Sequence, residues 1–160
     1  MRYHQIRIEC RIAAKIIMYL TPQEAELAFY DAMERNDVEA MMGVWLDNDA
    51  IVCVHPGASR LQGVREIRAG FAQMFEEPSP MMDFTLSDMR CQNVGELAIH
   101  TVREEILVDG QLASVMLATN IYRKTEAGWL MMLHHASPEL DVEVDDFDFT
   151  LDNTVPMLLH

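Results

Sequence analysis

A chain of 160 residues, half of them hydrophobic and a quarter charged, is sized for one globular domain with a real core. Its net charge of −14 excludes nucleic-acid binding of the kind that depends on Lys and Arg neutralising phosphates. No apolar run approaches the roughly 20 residues of a membrane helix, so neither nucleic acid nor membrane is an expected partner. The three cysteines (Cys10, Cys53, Cys91) are odd in number and widely spaced, giving neither a disulfide framework nor a CxxC motif, so reduced thiols in a cytoplasmic protein are expected.

Residues 1–20 carry a charge of +3. Arg11 and Lys15 interrupt the apolar patch there and leave no clean signal-peptide core. Residues 1–17 read either as an extension outside the native or ordered domain or as an extra amphipathic helix. Thr21, Pro22 and Glu24 form a capping box with proline at the first helical position. The helix that follows carries Leu27, Tyr30 and Met33 at helical spacing, with Phe29 beside them, which predicts a core-facing side. Asn36 and Asp37 end it and cap a second helix, "VEAMMGVWL", ending near Asp47. Residues 50–55 predict a buried strand, and "HPGASRLQG" a tight reversal. Gly63 opens a third helix whose apolar stripe is Val64, Ile67, Phe71, Met74 and Phe75, and "EEPSP" ends it. Four strands follow at roughly 82–93, 97–108, 111–124 and 128–136, joined by the reversals "NVGE", Asp109-Gly110 and "KTEAG". The fold class is α+β, with helices segregated on one face of an antiparallel meander. The domain spans 21–138. Residues 139–160 hold seven acids and no base and read as a solvated tail, an added edge strand, or a clip onto the basic N-terminal segment or a neighbouring subunit.

The run from "AFYDAMERNDVEAMM" through "VCVHPGASRLQGVREIRAGFAQMF", the later "ATNIYRKTEAGWLMMLHHASP", and the element order resemble the nuclear transport factor 2-like superfamily, in particular its SnoaL-like and ketosteroid isomerase-like bacterial domains. The resemblance implies a conical fold in which a curved antiparallel sheet wraps three N-terminal helices, an apolar pocket opens at one end, and two copies form a homodimer. It also implies the pattern of a cofactor-independent isomerase or a lyase of the cyclase type, acting by proton transfer next to a carbonyl. His55 stands where ketosteroid isomerases carry their base, immediately before a proline. Asn120, eight residues before Gly128, stands where they carry an oxyanion aspartate. Phe29, with Tyr30 beside it, stands where they carry an oxyanion tyrosine.

His55 and Asn120 are therefore the candidate catalytic pair. An imidazole is neutral near pH 7 and can take and return a proton, and an amide N–H can polarise a developing enolate. His55 can equally be a pocket-lining ligand contact or a structural histidine bonded to its turn. Phe29, Tyr30, Met33, Trp45, Phe71 and His135 are candidate ligand-lining residues, Trp45 being also readable as core. The ligand would be a small apolar or carbonyl-bearing molecule, with no metal and no cofactor; the alternative is a non-catalytic binding or assembly domain. By strand alternation Met131, Leu133 and His135 share one face and Met132 and His134 the other. Both faces are apolar, which favours a second subunit as cover. Arg103, Glu104 and Glu105 read as pocket charges or as a cross-strand ion pair, and Arg60 as an anion contact or a surface residue. The fold is expected to host one of several chemistries.

Overall fold

The computed structural model describes residues 18–76 and 81–140. The basic N-terminal segment up to residue 17 and the acidic tail from 141 lie outside them. Helix α1 (Pro22–Glu34) starts as its sequence dictates: Thr21 is extended, and its hydroxyl accepts from the Glu24 N–H at 3.2 Å. Glu24 reaches back one residue past the cap and accepts from the Leu20 N–H at 2.6 Å, a variant of the expected box. Asp37 caps α2 (Val38–Val44) by accepting from the Ala40 N–H at 2.9 Å. Helix α2 ends three residues sooner than expected because Trp45 turns extended and bridges to Met131, after which the Leu46 N–H donates to the Met131 carbonyl at 2.8 Å.

The remaining elements are β1 (Val52–Val54), β2 (Leu61–Gln62), α3 (Gly63–Met74), β3 (Met82–Val94), β4 (Leu97–Val108), β5 (Gln111–Thr125) and β6 (Gly128–Pro138). All six strands form one sheet in the order β2-β1-β6-β5-β4-β3. The long strands are an antiparallel meander, as their turns predict. Strand β1 joins it in parallel along β6, with Cys53 opposite His134 and Val54 opposite His135. Strand β2 falls inside the reversal expected after His55 and pairs back on β1. The result is the expected α+β cone, with a curved sheet around the helices.

The core lies between the helices and the inner face of the sheet. Phe29, Met41, Ile67, Phe71, Tyr122 and Met131 are each about 1% exposed or less, and burying a side chain of this size contributes about 1.5–3 kcal/mol. One expectation about α1 is corrected. Leu27 is 62% exposed and Glu26 fully buried, because the inward face runs through Ala25, Glu26, Phe29, Tyr30 and Met33. No helix among the described residues is long and apolar enough to cross a membrane.

Candidate functional site

Between α1, the end of β1 and the first halves of β3 and β5 lies a cavity of about 260 Å³. Its walls are largely apolar, from Phe29 and Met33 of α1 to Met82, Phe84, Ile106 and Met116 of the meander. Four polar side chains line it: Tyr30, His55, Glu104 and His134. A mostly apolar pocket with a few polar groups in defined places is the usual form of a small-molecule site.

His55 follows β1 and reaches the cavity with Pro56, and the edge of Phe71 packs on it with ring centres 5.3 Å apart. Burial lowers its pKa, so the imidazole is neutral at pH 7. Its Nε2 lies 3.2 Å from Cys53 Sγ. Burial also pushes the Cys53 thiol up to about 12, so it stays protonated and is no nucleophile.

His134 stands beside His55, ring centres 5.7 Å apart. Burial, then the positive charge that His55 and His135 would carry, lowers its pKa to about 3. The sequence reading proposed His135 for the pocket, and the structure reverses this: His135 is exposed and His134 only 4% exposed. The cause is a bulge. Pairing of β6 with β5 shifts between Ile121↔Leu133 and Tyr122↔Met131, so Met132 is the extra residue and inward parity moves from odd to even.

In the same cavity, the Tyr30 hydroxyl donates to Glu104 Oε1 at 2.5 Å. Burial raises the Glu104 pKa, the Tyr30 hydrogen bond pulls it partly back, and the charge of Glu26 raises it further. Tyr30 is held well above the ordinary phenol range by burial and then by the charge of Glu104. Arg103 and Glu105, the neighbours of Glu104, point to the other face. There Arg103 pairs with Glu105 of its own strand and, at 2.7 Å, with Glu139 just past β6, so Glu104 is the pocket-lining member of the run and its neighbours pair along the strand.

Asn120 does not line the cavity; it stands fully buried behind the wall with both ends of its amide in use. Its Oδ1 is 2.7 Å from His134 Nδ1, and its Nδ2 donates to Glu26 Oε1 at 3.0 Å and to the Tyr30 hydroxyl at 3.3 Å. The structure thus brings His55 together with Tyr30, Phe29 and Met33, and sets Asn120 one layer back, where it joins His134 to Tyr30. Trp45 and Phe71 are also behind the wall, packed on Phe29 with ring centres 6.3 and 6.2 Å away. Arg60 lines a separate, open cleft with Asp49 and Glu66. Among the described residues no group of three or more potential ligands is placed to hold a metal ion.

The sequence points to Glu104 only as part of the 103–105 run and to Glu26 not at all, although both carry a signal. Glu104 shares strand parity with the buried Ala98, His100 and Val102. Glu26 is three and four residues before Phe29 and Tyr30, on one helical face with them.

Comparison with known proteins agrees with the geometry. The SnoaL-like domain model matches residues 23–141. A Thiobacillus denitrificans protein, assigned as a calcium/calmodulin-dependent protein kinase type II association domain, is 34% identical. The match covers 78% of this chain and 99% of that one, with a TM-score of 0.69. A Streptomyces avermitilis protein assigned as a dehydratase of the NTF2-like family is 35% identical over 74% of this chain and 94% of that one, at a TM-score of 0.68. The F-box protein SKIP8 of Arabidopsis thaliana is 25% identical over 118 residues, which are 74% of this chain and 48% of that protein, so the chain spans about half the length of this curated relative. The matched segment runs through every element that builds the cavity, and the chain belongs to the SnoaL-like domain family, on the NTF2-like fold.

Proposed function

We propose that the protein binds a small, largely apolar, carbonyl-bearing molecule in the cavity and moves a proton on it without a cofactor, as an isomerase or a lyase. One observation carries this reading: two neutral imidazoles and a hydrogen-bonded Tyr30–Glu104 pair line one apolar cavity. His55 is the base. Its pKa is lowered less severely than that of His134, whose value near 3 makes it an acceptor of hydrogen bonds rather than of protons at pH 7. Glu104, raised by burial, is the acid that returns a proton to an enolate oxygen or to a departing hydroxyl. Asn120 acts as a positioning residue. The likeness to a relative assigned as a dehydratase supports the lyase form, which needs one base and one acid.

The test is a thermal-shift panel of phenols and other enolate mimics on the wild type, His55→Ala and Glu104→Gln. Stabilisation of the wild type that falls in both variants supports the reading. A folded wild type that no member stabilises, or shifts of equal size in all three proteins, overturns it.

A second reading is a non-catalytic assembly domain, favoured by the likeness to a relative assigned as an association domain. In either case we take the protein to be a cytoplasmic homodimer that pairs through the outer sheet face. The free thiols of Cys53 and Cys91 support the compartment, and the exposed Leu117 with the half-buried Ile121 and Leu133 supports the interface.

A further inference from the structure

Glu26 sits in the middle of α1 with no exposure to solvent, and the chemistry above gives it no task. Its Oε1 receives Asn120 Nδ2 at 3.0 Å and the Tyr122 hydroxyl at 3.4 Å, and its Oε2 lies 3.0 Å from His100 Nδ1. The Tyr30 hydroxyl spends its one hydrogen on Glu104, so toward Asn120, 3.3 Å away, its oxygen can only accept, and the amide end that reaches both Tyr30 and Glu26 has to donate. The end of Asn120 that faces Glu26 must therefore be the NH₂ end. Oδ1 is then the end that meets His134. A carbonyl oxygen also only accepts, so the ring must bring its hydrogen on Nδ1. A neutral imidazole has one N–H, and Nε2 is left with a lone pair on a ring that lines the cavity.

From this chain we infer that Glu26, acting through Asn120, fixes His134 as a hydrogen-bond acceptor toward the cavity, and that the bound molecule meets it with a hydroxyl of the phenol or enol kind. The inference rests on the cavity being the ligand site. It narrows the ligand to one with a donor on the His134 side and a carbonyl or other acceptor within reach of Glu104. A molecule with only ether or ketone oxygens would set two acceptors against each other at His134, an unpaired buried contact. Glu26 is accordingly a positioning residue, three hydrogen bonds from the ligand.

Two measurements on the wild type and three variants test it. Nitrogen-15 NMR of the imidazoles reads which ring nitrogen of His134 bears hydrogen; the wild type is expected to show the Nδ1–H form. Glu26→Met removes the acceptor that orients Asn120, and the tautomer ratio is expected to shift by about tenfold or more toward Nε2–H. Glu26→Gln keeps a carbonyl for Asn120 and, with its amide turned to His100, retains the wild-type tautomer. Tyr122→Phe removes a donor from Glu26 without touching Asn120, so it weakens the fold but leaves the tautomer alone. A wild type in the Nε2–H form, or a folded Glu26→Met with an unchanged ratio, overturns the inference. Binding of phenol and of anisole then reads the ligand class. Phenol is expected to bind about tenfold more tightly to the wild type, and Glu26→Met to remove most of that preference. Equal binding of the two overturns the ligand assignment while leaving the cavity as a site. Binding of neither overturns the ligand assignment and the parent reading of the cavity together, whatever the tautomer. Should Glu26→Met fail to fold, the wild-type tautomer and the phenol-to-anisole ratio decide the matter alone.

Discussion

A buried imidazole held neutral makes the fold sensitive to acid, and His134→Gln isolates the effect. His134 has a folded-state pKa near 3, depressed by burial and by its histidine neighbours, against about 6.5 in the unfolded chain. Below pH 6.5 the unfolded chain gains a proton on this residue that the folded protein refuses until about pH 3. The stability contributed by a depressed group is present above the unfolded value and is lost as pH falls toward the folded one. Between pH 8 and pH 5 this amounts to about 2 kcal/mol, most of it below pH 6.5. Glu104 has the opposite sign, and His55 the same sign as His134, but both remain in the variant and cancel in the comparison. Urea unfolding at pH 8, 6.5 and 5 is the assay. Going from pH 8 to pH 5, the wild-type midpoint is expected to fall about 1 M further than that of His134→Gln. Parallel midpoints would mean that the ring takes up its proton at the same pH in the folded and the unfolded protein, and the claim that the fold holds it neutral would go with them.

Glu104→Gln should show the mirror image. A carboxyl raised by burial favours the fold below its unfolded pKa, and that contribution is lost as pH rises through the folded value. The variant should therefore gain stability relative to the wild type between pH 4.5 and pH 8 in the same urea series. Gly128 has φ +100°, and a Cβ there would lie 2.5 Å from the Tyr19 carbonyl oxygen. Gly128→Ala should cost about 3 kcal/mol, read as a lower melting temperature with unchanged ligand preference. Met131 is fully buried beside the α2 terminus, so Met131→Ala should cost about 2–5 kcal/mol by opening a cavity, with phenol binding retained.

What the sequence made legible was local. Thr21, Pro22 and Glu24 declared the start of α1, and Asp109-Gly110 and Gly128, all at positive φ, declared their turns. The strand bounds of the meander followed because such turn chemistry sits within a few residues. The parallel union of β1 with β6 was not legible, since it joins Cys53 to a residue 81 positions away with no turn to announce it. The site suffered from the same limit. His55 was found because a proline and a glycine mark the strand end, whereas a bulge at Met132 overrode a correct alternation rule and exchanged His135 for His134. Glu26 was passed over because a charged residue in an apolar stripe looks like a solvated one until His100, Asn120 and Tyr122 are seen around it.

The two ends of the folded unit lie at opposite ends of the sheet. Tyr19 is held to the β5–β6 hairpin, where it bridges Gly128 and its carbonyl accepts from the Trp129 N–H at 2.8 Å. At the other end, Pro138 pairs with the cavity residue Met116, and the Glu139 N–H donates to Val115 at 3.0 Å. For anyone building with this protein, the two ends are not equivalent attachment points. A purification tag, fluorophore or surface tether joined ahead of Met18 departs beside the hairpin, far along the strands from Met116. The same cargo joined directly after Leu140 starts next to the strands that wall the cavity, where a fluorophore becomes a reporter of occupancy and a bulky fusion becomes an obstruction.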